Sequence, residues 1–248
     1  MNPDLLDLVQ SLRRRAQMSP ERFAAPQRFD THKEVLSAPT VPMAVKKDSL
    51  ETLAAEIQSC RKCPLGNTRL RAVPGVGSAQ AQVMFIGEGP GFEEDHRGEP
   101  FVGKSGQLLD KILAAIGLSR ETVYIANIVK CHPMINPANP EARGNDRPPS
   151  PEEIAACRAY LDRQIRAIAP KVIVTLGAVP MKVLLGSPNE SITRIRGQWR
   201  VYNPPEGGEP IKLLPTFHPA ALLRNPDLKK DVWTDMKNLR DELAKGVR

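Results

Sequence analysis

The chain has 248 residues, of which 41% are hydrophobic, and a formal charge of +7. That length accommodates one sizeable domain plus an appendage. No run approaches the ~18 apolar residues that read as a membrane-spanning helix, and the basic balance favours a polyanion such as nucleic acid as partner. The opening MNPDLLDLVQSLRRR sets its positive charges after the apolar residues, the reverse of a secretory leader, so a cytoplasmic protein is expected.

Residues 3–15 read as a short amphipathic helix with Leu5, Leu8, Val9 and Leu12 on one face. Residues 16–47 carry four prolines and no sustained period, the pattern of a flexible linker. This N-terminal segment is expected to be a tail without catalytic consequence; the alternative is a docking helix for a partner protein. The ordered domain is expected over residues 48–248. It starts with a helical stripe of Leu50, Leu53, Ala54 and Ile57 that delivers the chain to Cys60. Strand and helix signals then alternate. VMFIG (83–87) is a strand, and Leu108, Leu109, Ile112, Leu113 and Ile116 mark a helix. VYIANIV (123–129) is the next strand, and residues 151–168 form a helix opened by Ser150, Pro151 and two glutamates. VIVTLG (172–177) precedes a short helix to Leu185. A small strand is expected around Trp199, a longer one at IKLLPT (211–216), and a C-terminal helix through Leu228, Val232, Leu239 and Leu243. Such alternation argues for an α/β fold with a parallel sheet covered on both faces. Ligands of these sheets lie beyond the carboxyl ends of the strands.

Polar clusters fall at those ends. GEGPGFEED (87–95) follows the first strand, where glycine lets backbone approach a ligand closely. GEPFVGKS (98–105) formally matches a phosphate-binding loop, but charged FEEDHR, not a strand, precedes it, so the match is read as accidental. Asn127 at a strand end offers one acceptor and two donors, suited to a pyrimidine edge. Phe101, in a chain only 4% aromatic, is a candidate stacking face. His218, just past the last long strand, can hydrogen-bond a carbonyl oxygen that gains negative charge. Beside it, Leu222, Leu223 and Arg224 combine apolar surface and a cation, as expected of an element inserted into a base stack. Cys60 and Cys63 form a CxxC pair, with Cys131 and Cys157 further on. Four thiols in a cytosolic protein point to a metal or cluster site. Their spacing leaves zinc and a 4Fe–4S cluster both open.

Together and in order, GEGPGFEED, PFVGKSGQLLD (100–110), NIVKC (127–131), PEEIAAC (151–157), KVIVTLG (171–177), ITRIRG (192–197) and TFHPAALLRNP (216–226) resemble the family 4 uracil-DNA glycosylases. The resemblance covers residues 60–243. It implies a three-layer α/β/α sandwich with a central four-stranded parallel sheet, a 4Fe–4S cluster on Cys60, Cys63, Cys131 and Cys157, and hydrolytic excision of uracil from single- or double-stranded DNA. It implies contact with uracil for Glu88, Gly89, Pro90, Glu94, Phe101, Asn127 and His218. In that mechanism His218 and backbone amides of the 88–90 turn stabilise the departing anion, and Glu88 orients water. Glu94 is a candidate wall against the thymine methyl group, or a second water-placing group. Leu222, Leu223 and Arg224 would meet DNA, and a monomer is expected. Two departures stand out. Gly89 replaces an alanine frequent in the family, suggesting a looser turn. The gap between Cys131 and Cys157 holds 25 residues, longer than is usual for the family, which suggests a surface loop insertion over residues 132–148. Two other readings compete: a non-catalytic four-cysteine module that binds nucleic acid, and an electron-transfer protein. The first leaves Asn127 and His218 unexplained, and no partner cofactor site suggests the second.

Overall fold

A computed structural model describes residues 49–246. The expected helix at 3–15 and linker at 16–47 lie outside the described residues.

Ser49 caps the first helix, α1 (Leu50–Ser59), by accepting the Thr52 N–H at 3.1 Å. A short α2 (Leu65–Thr68) follows, then β1 (Val76–Gly77), β2 (Val83–Gly87), α3 (Phe92–Arg97) and α4 (Lys104–Ala115). Next come β3 (Tyr124–Asn127), α5 (Pro151–Ile168), β4 (Val172–Leu176), α6 (Ala178–Leu185), a single turn α7 (Ile192–Ile195) and β5 (Arg200–Tyr202). The chain closes with β6 (Ile211–Thr216), α8 (Pro219–Arg224), a 3-10 turn and α9 (Lys229–Ala244). At α5 the Ser150 hydroxyl accepts the Glu153 N–H while Glu153 accepts the Ser150 N–H, a capping box that sets the helix start.

The sheet has six strands in the order β1-β3-β2-β4-β6-β5. The four central strands are parallel, as the sequence implies. The two short outer strands, β1 and β5, pair antiparallel and close the edges. β5 corresponds to the strand expected near Trp199; β1, at two residues, carries no readable period.

The strands alternate between two cores. Met84, Ile86, Ala126, Ile173 and Leu213 pack with Leu53 and Ile57 of α1 and Leu161 and Ile165 of α5. Val83, Phe85, Ile125, Val174 and Leu214 face the other way, onto Leu109 and Leu113 of α4 and Met236 and Leu239 of α9. Both faces are thus covered, which makes the fold three layers and explains why these strands read as unbroken apolar runs. No helix among the described residues is long and apolar enough to cross a membrane.

Candidate active site

From β2 at the centre of the parallel sheet, the chain first moves to β3 on one side, then to β4 and β6 on the other. A crevice opens at such a reversal, at the carboxyl ends of the strands. Gly87 ends β2 directly beside Asn127 at the end of β3. A Cβ on Gly87 would strike Asn127 Oδ1 and come within 2.6 Å of Phe101 Cζ. Glycine is therefore needed there, and the amide and the ring meet above it. The Phe101 ring in turn lies 5.5 Å from the His218 ring, centroid to centroid. The structure thus brings Asn127, Phe101 and His218 to one place.

Asn127 is 1% exposed, and its Oδ1 has no hydrogen-bond partner. A buried acceptor left unpaired is costly, so this oxygen marks a ligand position. Phe101 holds a left-handed backbone with φ of 55°, rare for a bulky residue. Three groups enforce it. Arg120 donates to the Pro100 and Phe101 carbonyls. Gly106 of α4 passes so close to the Phe101 carbonyl that a side chain there would overlap it. The Glu94 carboxylate accepts the Val102 and Gly103 N–H groups at 2.9 and 3.0 Å. Its second oxygen accepts the Gly91 N–H at the start of α3. Glu94 is therefore engaged by backbone on both oxygens: it builds the loop that presents Phe101.

His218 is the N-cap of α8, its Nδ1 accepting the Ala220 N–H at 3.1 Å. With Nδ1 an acceptor, the neutral ring carries its proton on Nε2. Burial, with a smaller contribution from the Arg224 charge, lowers the His218 pKa to about 4, so the ring stays neutral. Gly177, at φ of 102°, gives the histidine room, since a Cβ there would lie 3.1 Å from that of His218.

Glu88 is partly buried in the turn after β2, and desolvation raises its pKa. Its carboxylate has no hydrogen-bond or ionic partner among the described residues. Pro90 is buried. At Gly89 a Cβ would come within 2.9 Å of Val129 Cγ2, so this turn is tightly packed rather than loose. The trio 222–224 separates. Leu222 is 2% exposed and packs in the core shared with α4, which corrects its placement on the rim. Leu223, 48% exposed, and Arg224 do face outward. Each step along a helix turns the side chain by about 100°, which takes Leu222 into the core and leaves the next two residues on the exposed side.

The surface loop insertion over residues 132–148 is anchored. Met134 bridges Asp146 within it, and Asn145 bonds both to the Asn136 backbone and to the Asn139 carbonyl. Arg143 reaches Glu93 at 2.9 Å and His96 reaches Glu141 at 3.1 Å, tying the loop to α3. His132 is buried between Asp146 and Asp95. Burial opposes its charge, but the Asp146 and Asp95 carboxylates raise its pKa to about 9.

All four cysteines are free and line one recess with Gly66 and Tyr160. Burial pushes the Cys131 thiol up to about 11, against the Arg69 guanidinium, which donates to its sulfur at 2.8 Å. Lys130 borders the same recess. Four thiols bordered by three cations, Lys62, Arg69 and Lys130, suit an anionic group. Among the described residues no three His, Cys, Asp or Glu side chains are grouped so as to hold a single ion.

The family model described as the uracil DNA glycosylase superfamily matches residues 74–237, and the chain belongs to that superfamily. Among curated proteins, the type-4 uracil-DNA glycosylase of Archaeoglobus fulgidus is 41% identical over 201 residues, covering 80% of this chain and 95% of the relative. That of Sulfurisphaera tokodaii is 45% identical over 78% of this chain and 84% of the relative. That of Thermotoga maritima is 40% identical, over 82% and 99%. Within the superfamily the chain falls in the type-4 group.

Sequence reasoning missed Gly106, Arg120 and Lys130. A lysine embedded in the apolar run VYIANIVKC was the one readable sign of a buried, partnered cation.

Proposed function

We propose that this protein flips uracil out of DNA and excises it by hydrolysis, leaving an abasic site. The observation that carries the reading is the unpartnered Asn127 Oδ1, buried beside the Phe101 ring. Uracil presents an N3–H donor there. Cytosine presents a lone pair at the same atom, which would oppose the oxygen. Phe101 stacks on the flipped base. As the C1′–N1 bond breaks, its electron pair leaves with uracil. The neutral His218 donates Nε2–H to the resulting anion, assisted by the Glu88 and Gly89 amides; Pro90 has no N–H and shapes the turn. A preorganised donor of this type is worth ~3–4 kcal/mol. Glu88 orients the water that bonds to C1′, and the water's proton passes to solvent. Outside the pocket, Leu223 wedges into the stack and Arg224 neutralises phosphate.

Cys60, Cys63, Cys131 and Cys157 would hold the 4Fe–4S cluster. The shared recess and nearby cations support this. When bound, the cluster cross-links the segment after α1 to the end of β3 and to α5, and its contribution is to folding. Purified protein is expected to be brown, with four irons per chain; a colourless zinc protein overturns the assignment. The activity is tested by incubation with uracil-containing DNA in chelator-treated buffer. Free uracil is the expected product, and intact glycosidic bonds after prolonged incubation overturn the proposal.

A further inference from the structure

We propose that Lys130 is a positioning residue for uracil recognition, a buried ammonium that fixes the strand end on which Asn127 stands. The inference rests on the reading of Asn127 given above.

Lys130 is 1% exposed, an extreme position for a charged side chain. Its Nζ donates to the Asn127 main-chain carbonyl at 2.7 Å and to Gln164 Oε1 at 2.7 Å. Gln164, on α5, is itself fixed, since its Nε2 donates to the Pro74 carbonyl at 2.7 Å and to the Tyr124 hydroxyl at 3.2 Å. On the other side of the peptide that Lys130 grips, the Ile128 N–H donates to the Gly87 carbonyl at 2.9 Å. The peptide after Asn127 is thus pinned at both its oxygen and its nitrogen. That fixes the strand end from which the Asn127 side chain projects, whose Oδ1 has no protein partner to hold it. The backbone anchor places the amide against Gly87 and Phe101, which leave it little room to turn.

The cation also faces the thiols of Cys131 and Cys157, and the Lys130 side chain borders their recess. Burying an ammonium is unfavourable unless it is paired, and an apolar residue of similar volume would often serve stability as well. A group retained in these surroundings, bonded to the carbonyl of the base-reading residue, is best explained by recognition. The same side chain couples the thiol-lined recess to the uracil pocket, a link that neither site has by itself.

The test is a double-variant cycle with single-turnover excision rates, each normalised to the folded fraction and accompanied by iron content and affinity for abasic product DNA. Lys130→Met is expected to lower the rate roughly tenfold or more, the size of a lost hydrogen bond to a charged group. Iron content and product affinity should stay near those of the parent protein. Combined with Asn127→Ala, it should slow that variant by no more than about twofold, because both substitutions break the same interaction. Losses that multiply, a parent-like rate for Lys130→Met, or a fall in rate that follows lost iron would each overturn the proposal. If Lys130→Met does not fold, Gln164→Leu is used in the same cycle, with the same expectations and the same overturning outcomes. Absence of uracil release by the unaltered protein refutes the glycosylase reading itself and is seen before any variant is made.

Discussion

Asn127 and His218 end two parallel strands, β3 and β6, with β2 and β4 between them, and they are held in different ways. His218 is fixed by its own turn: the residue two positions on supplies the N–H that its Nδ1 accepts. Asn127 is fixed from a distance. Lys130 holds its carbonyl, Gln164 on α5 holds Lys130, and Gly87 and Phe101 surround its amide. The difference follows from the two tasks. A donor to an anion needs one proton at a known ring nitrogen, which a local cap assigns. Choosing between two pyrimidine edges needs an amide held in one orientation, which takes a rigid surround.

The largest expected effect is at the local end. His218→Ala should lower the single-turnover rate by on the order of 10²–10³ with little change in affinity for uracil-containing DNA, because the charge it meets develops as the bond breaks. The same variant loses a cap, so stability should fall by about 1 kcal/mol. Early melting with an unchanged rate per folded molecule would reduce His218 to a cap alone. Asn127→Asp should follow, with roughly a 10- to 10²-fold loss, since an ionised carboxylate has no donor left for the base. Equal excision by that variant would place the reading elsewhere. Glu94→Ala leaves the Val102 and Gly103 amides unpaired and frees the strained Phe101 loop. The expected cost is ~1–3 kcal/mol in chemical denaturation, with weaker substrate binding. A binding-neutral variant would separate the loop from the pocket.

The smallest effect is in the pH profile. Desolvation raises the Glu88 pKa, so if its ionised form orients water, the rate declines as pH falls through that raised value. Glu88→Gln should flatten this acid limb. His218 does not contribute to it, because its pKa of about 4 keeps it neutral there. It acts on stability instead. Between its unfolded value of 6.5 and about 4, the unfolded chain binds a proton that the folded chain refuses, so stability declines as pH falls across that window. An acid limb unchanged in Glu88→Gln would remove Glu88 from the chemistry.

Much of the frame was legible because it depends on near neighbours. The α5 helix falls at 151–168 as read, since Ser150, Pro151 and Glu153 specify its start within one turn. The four parallel strands follow from apolar runs that must be buried on both faces. The reading fell short where distant partners decide. Glu94 read as a candidate pocket wall or water-placing group, and the sequence carried no sign that its carboxylate serves Gly91, Val102 and Gly103. Residues 132–148 read as a surface loop insertion, and what that reading could not supply is their anchors, Glu93 and His96, which lie some forty to fifty positions back in the chain. Leu222 and Leu223 are indistinguishable by type, and only the phase of α8 against α4 sends one into the core and the other to solvent.

The sequence by itself determined the α/β alternation, the four thiols, and the placing of an asparagine and a histidine just where two strands end. These depend on side-chain type, backbone propensity and spacing, which are local. Only the tertiary structure decided that Asn127 Oδ1 would be left unpartnered, that Phe101 would be forced to positive φ, and that Lys130 would be buried against the Asn127 carbonyl. Those states depend on which groups meet after the sheet closes. A hydrogen bond satisfied or withheld across 34 residues, as between Lys130 and Gln164, leaves no period in the chain that makes it.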